Sequence, residues 1–98
     1  IGYEVIEAHD GGPAIELAIK EKPALILLGN NMPLLSGATT VAILRSHPMT
    51  QKIPIIMVSS NDKLATVDQC LSQGANDYIV KPFRTEVLLS KVKTLLGD

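Results

Sequence analysis

Three stretches of the chain end in residues suited to a phosphoryl group, and each follows a short apolar run. Ser59 and Ser60 follow the run at 53–58, Lys81 follows Tyr78-Ile79-Val80, and Gly29, Asn30 and Asn31 follow the run at 24–28. A serine hydroxyl donates one hydrogen bond to a phosphoryl oxygen, a lysine supplies a point charge, and loop N–H groups share the remaining acceptors. Other chemistries lack their residues. His9 and His47 have no Cys, His or carboxylate at ligand spacing. No Ser-His-Asp set, glycine-rich phosphate loop or pair of catalytic acids occurs elsewhere.

The order of elements is what brings these stretches together. Residues 3–8 alternate apolar and polar, the period of an edge or near-edge strand with one wet face. Asp10 as N-cap and Pro13 in the first turn open a helix carrying Ala14, Ile15, Leu17 and Ala18, which ends before Pro23. The run at 24–28 is too short for a helix and apolar throughout, as in a central parallel strand covered on both faces. Ser36 is placed to cap a second helix with Val41, Ile43 and Leu44, closed by His47-Pro48, and a second buried strand follows at 53–59.

Asn61 or Asp62 is the expected cap of a third helix, with Leu64, Val67 and Leu71 as its stripe and Gly74 just past its end. A short strand at 78–80 leads through Lys81-Pro82-Phe83 into a last helix. Its apolar side holds Val87, Leu88, Val92, Leu95 and Leu96, and Lys91 and Lys93 complement the negative end of its dipole. Strand and helix alternate without a linker, repeat or low-complexity run, so residues 1–98 are expected to form one domain around an open parallel α/β sheet. Such sheets bind ligands beyond the carboxyl ends of their strands, where Gly29, Asn30, Asn31, Ser59, Ser60 and Lys81 all fall.

Composition narrows the partners. Nine basic and ten acidic residues leave a net charge of −1, so no general field draws the chain to nucleic acid or anionic lipid. Tyr3, Tyr78 and Phe83 are the only aromatics, too scattered for base stacking. The single Cys70 excludes an internal disulfide and reads as a small buried hydrophobe on a helix. No apolar run approaches the ~20 residues that span a bilayer, and no leader precedes Ile1, so a cytoplasmic location is expected.

Three segments carry a family resemblance: Leu27-Leu28-Gly29-Asn30-Asn31-Met32-Pro33, Ile53-Pro54-Ile55-Ile56-Met57-Val58-Ser59-Ser60 and Gly74-Ala75-Asn76-Asp77-Tyr78-Ile79-Val80-Lys81-Pro82-Phe83. In this order and spacing they resemble the receiver domain of two-component response regulators. The resemblance runs from the family's second strand through its last helix. It implies a flavodoxin-like, CheY-like doubly wound sheet in three αβα layers, here lacking the first strand and first helix. It also implies that Ser59 is the hydroxyl that moves toward the phosphoryl group and Lys81 the lysine that contacts it. By the same resemblance Tyr78 is a rotor that reports the change, the Lys81-Pro82 bond is cis, and Asn31 lends a carbonyl to the family's Mg²⁺.

Two departures alter the expected function. Gly29 stands where the resemblance places the phosphate-accepting aspartate, so no acyl phosphate can form there and a cation ligand is lost. The acidic pair after the family's first strand is also absent, so no Mg²⁺ or other cofactor is expected. Because that first strand is central in the family's order, the sheet is expected to be repaired by re-pairing, by exchange of segments between copies, or by a longer parent chain.

The expectation is a non-enzymatic phosphorelay module that acts through contacts with a histidine kinase or phosphotransfer protein and an output domain or effector. The contact surface is expected on the last two helices and the strand between them, around Ala65, Gln69, Tyr78 and Lys93. The alternatives are a divergent pseudo-receiver and a small-ligand-binding α/β module on the same edge. Individually, Ser59 could simply end a strand, Lys81 could be a solvated loop lysine, Tyr78 could be packed at a strand edge, and Gly29 could serve a positive φ.

Overall fold

The computed structural model describes residues 5–8, 11–29, 37–60 and 62–97, with the backbone alone at 5–8, 11 and 13. Strand and helix alternate throughout: β1 (Val5–Ala8), α1 (Gly11–Glu21), β2 (Leu25–Gly29), α2 (Gly37–Ser46), β3 (Ile55–Ser59), α3 (Leu64–Gln73), β4 (Asp77–Val80) and α4 (Thr85–Leu96). The four strands form one sheet in the order β1-β2-β3-β4, and every neighbouring pair is parallel. β1 bonds directly to β2, with Val5 opposite Leu25. Among the described residues no strand lies between β1 and β2.

The apolar run of β2 reads as it does because both of its faces are covered. On one face Ile26 and Leu28 join Ile55, Met57 and Tyr78 against Ala14 and Ala18 of α1, Val41 and Leu44 of α2, and Cys70 of α3. On the other, Leu25, Ile56 and Ile79 pack against Val92 of α4, with Leu88, Leu95 and Leu96 alongside. Alternation along each strand feeds the two cores in turn, giving three helices on one face and one on the other.

Several boundaries differ from the sequence reading. β3 starts at Ile55 rather than at 53, because Ile53 is held in the preceding turn, its N–H donating to the Thr50 carbonyl at 3.1 Å. α3 is capped by the backbone of Lys63, extended at φ −66 and ψ 129, with no side-chain cap; Asp62 lies one residue too early, and Asn61 is outside the described residues. The carbonyl of Lys63 accepts from Val67 N at 3.1 Å, and that bond fixes the helix start. Asp10 and Ser36, the other expected caps, also fall outside the described residues.

The helix stripes shift as well. In α3 the sheet-facing residues are Val67 and Cys70, three apart, whereas Leu64 and Leu71 lie on the flank and are 74% and 40% exposed. In α4, Val87 is exposed because it shares the flank of Lys91, whose Nζ reaches out to Asp77. Gly74 does end α3 at φ 121, its N–H donating to the end of the helix. α1 ends as expected before Pro23, on Lys22 at φ 48, whose N–H donates to the Ala18 carbonyl at 3.0 Å. Among the described residues, no helix is long and apolar enough to cross a membrane.

Candidate functional site

The carboxyl ends of β2, β3 and β4 lie side by side. Gly29 pairs with Val58 and Ser59 pairs with Val80, so the last residues of three adjacent strands stand at nearly one level. One residue beyond β4, the N–H of Lys81 donates to the Ser59 carbonyl at 2.8 Å. Two of the expected site residues are thus brought together by the sheet ladder itself.

Their surroundings differ. Ser59 is 3% exposed, whereas Ser60 and Lys81 are exposed. Ser59 follows Ile55 and Met57 toward the three-helix side, while Gly29 follows Leu25 and Leu27 toward the α4 side. A ligand shared by these positions therefore has to sit beyond the strand ends, against neither face. The Lys81-Pro82 peptide is cis.

Gly29 itself is a strand residue. Its place in β2, in register with Val58, is extended, and the positive-φ glycines among the described residues are Gly74 and Gly97. The local conformation therefore does not demand glycine, which removes the backbone explanation for its presence. Asn30 and Asn31 lie outside the described residues.

Tyr78 is 9% exposed and packed with Ile55, Met57 and Cys70 in the three-helix core. Its expected place on the contact surface is corrected accordingly, since the ring is largely withdrawn from solvent. Ala65, Gln69 and Lys93 are exposed.

Among the described residues at this edge, the donor set suits a divalent cation poorly. Two serine hydroxyls and an ammonium supply no anionic oxygen, whereas Mg²⁺ is bound through carboxylates in octahedral geometry. Among the described residues no group of three or more His, Cys, Asp or Glu gathers into a metal site.

Sequence reasoning missed the polar centre at the opposite end of the sheet. From α2, Arg45 sends Nε to the Gly74 carbonyl at 2.9 Å, Nη1 to the Ile53 carbonyl at 2.7 Å, and Nη2 to Asn76 Oδ1 at 2.8 Å. Burial lowers its pKa from the ordinary arginine value. An arginine in the last turn of a helix looks like a dipole partner, and no local pattern announces acceptors that come from two other connections.

Comparison with known proteins assigns the fold to a family. A model described as the response regulator receiver domain matches residues 1–93. The chain is 38% identical over 95 residues to the transcriptional regulatory protein PrrA of Mycobacterium tuberculosis, spanning 97% of this chain and 40% of PrrA. It is 34% identical over 93 residues to the response regulator PleD of Caulobacter vibrioides, covering 95% of this chain and 20% of PleD. The chain thus spans less than half the length of these curated relatives.

Among solved structures, the receiver domain of sensor histidine kinase PA1611 from Pseudomonas aeruginosa, with a magnesium ion in its active-site cleft, aligns at a TM-score of 0.85 and 29% identity. That alignment covers 99% of this chain and 80% of that one. The Vibrio cholerae chemotaxis protein CheY4 aligns at 0.84 and 32% identity, covering 97% and 79%.

Proposed function

The chain belongs to the response regulator receiver family, and from that premise we propose that it is a signalling module whose phosphoacceptor position is occupied by Gly29. The observation that carries this reading is the position of Gly29 at the carboxyl end of β2, one strand from Ser59 and two from Lys81, within the strand ladder opposite Val58. A carboxylate is the group that would attack a phosphoryl donor, and glycine has none. Ser59, Ser60 and Lys81 persist there as contacts for an oxyanion, with no nucleophile to receive the phosphorus. With the acid missing from Gly29, the reading includes no bound Mg²⁺.

Such a module transmits through protein contacts, with a histidine kinase or phosphotransfer protein on one side and an output domain or effector on the other. Its contact surface combines exposed apolar Leu64, Val80, Phe83 and Val87 with polar Gln69 and Lys93, all on α3, β4, α4 and the loop before α4. Exposed apolar groups among polar ones are what a transient protein interface offers.

Incubation of the chain with acetyl phosphate, followed by intact-mass measurement, tests the central claim. The mass is expected to stay unchanged, and a hydroxylamine-sensitive phosphorylated species would overturn the reading. Pulldown by a partner that survives charge substitutions at Leu64 and Val87 would count against the contact surface.

A further inference from the structure

We propose that Arg45 and Asn76 form a register clamp, which fixes β3 against β4 at the strand starts and thereby sets the level at which Ser59 and Lys81 meet at the far end. The need for a clamp follows from the topology. Parallel strands have no tight turn between them to define their pairing, and β3 reaches β4 only through α3. The pair holds four register positions, and β4 is an edge strand ending in a half-exposed Val80.

The clamp is a closed set of hydrogen bonds at the strand starts. Asn76 imitates a ladder partner of Ile55: its N–H donates to the Ile55 carbonyl at 2.8 Å, and its Oδ1 accepts from Ile55 N at 2.9 Å. Arg45 donates to that same Oδ1 at 2.8 Å, which holds the amide in the orientation Ile55 requires. The guanidinium also grips the backbone just before each strand, at Ile53 and at Gly74. One rigid fork therefore bonds to the chain on both sides of the pair it aligns.

The consequence appears at the other end of β3, whose five residues span ~17 Å. A slip of one residue would carry Tyr78 out of the core and move Lys81 off the Ser59 carbonyl by ~3.3 Å. Arg45 and Asn76 are thus positioning residues for the site and touch none of its groups. Their role is independent of whether the site handles phosphoryl groups.

Residue-resolved amide hydrogen exchange on the 98-residue chain tests the clamp, with Arg45→Lys, Asn76→Ala and Asn76→Asp compared at full far-UV ellipticity. Lysine cannot bridge three acceptors and alanine removes Oδ1, so both variants are expected to speed exchange of the Lys81 amide about tenfold while α4 amides keep their rates. Asn76→Asp retains an acceptor for both donors and is expected to stay within about twofold of the parent chain. The proposal is overturned if changes are confined to residues 53–55 and 74–77, which would mean that Tyr78 packing alone sets the register. A uniform rise across β3, β4 and α4 would equally overturn it, as loss of global stability.

Discussion

Lys81 and Ser59 are joined by a backbone hydrogen bond of 2.8 Å, from the N–H of the first residue past β4 to the carbonyl of the last residue of β3. The two site residues are therefore levelled by main chain and not by their side chains. The Ser59 hydroxyl and the Lys81 ammonium remain attached to a fixed base, one buried and one exposed.

That base makes Gly29 the informative position to change. Gly29 is a strand residue, and Gly29→Asp is expected to shift stability by no more than about 1 kcal/mol, the span of strand preferences. In the longest natural chain that carries this sequence, the substitution is expected to confer labelling by acetyl phosphate, seen as one added phosphoryl mass. Continued absence of labelling would mean that the site has diverged beyond its acceptor.

Gly74 and Arg45 are expected to couple strongly. Gly74 sits at φ 121, and a Cβ there would lie 2.7 Å from Arg45 Cγ, part of a side chain fixed by its hydrogen bonds. Gly74→Ala should cost about 1–3 kcal/mol from backbone strain and overlap together. In an Arg45→Ala background the overlap vanishes and the strain stays, so the second penalty should be smaller by at least ~0.5 kcal/mol. Urea denaturation of the four proteins in the cycle measures the difference, and strict additivity would refute the overlap.

Cys70 gives the pH dependence a defined sign. Burial raises its thiol above the ordinary value of 9.0, so the folded state favours the protonated form. The associated stability is fully present below the unfolded value and is lost as pH rises through the folded one. Comparison of unfolding midpoints at pH 8 and above should show a steeper alkaline loss for the parent chain than for Cys70→Ala. Parallel curves would sink this assignment. The same burial predicts that a maleimide reacts with the thiol only on the timescale of unfolding.

Lys91 and Asp77 tie α4 to the start of β4 at 2.8 Å, with 32% and 35% of their side chains exposed. At that exposure the pair should contribute ~0.2–1 kcal/mol, screened by salt. Lys91→Met is expected to lower stability by that amount at low ionic strength and by nearly nothing at ~1 M salt. A loss undiminished by salt would point instead to packing of the lysine stem.

Much of the architecture was legible in the residues because its causes are local. The apolar run of β2 that follows Pro23, the helix-ending Gly74 and the strand-ending Ser59 each reflect a short-range rule of burial or backbone preference. Helix faces were harder to read: Leu64 and Leu71 satisfy the helical period as well as Val67 and Cys70 do. A period names the candidate stripes, and the direction of the sheet selects among them.

Sequence alone determined the element order, the parallel α/β class and the absence of a carboxylate at Gly29, since each depends on residue type and spacing along the chain. Tertiary structure decided the direct pairing of β1 with β2, the withdrawal of Tyr78 into the core, and the convergence of Arg45, Ile53, Gly74 and Asn76. The physical reason is that hydrogen-bond acceptors on separate connections become neighbours only after the sheet has closed, and no local propensity encodes that proximity.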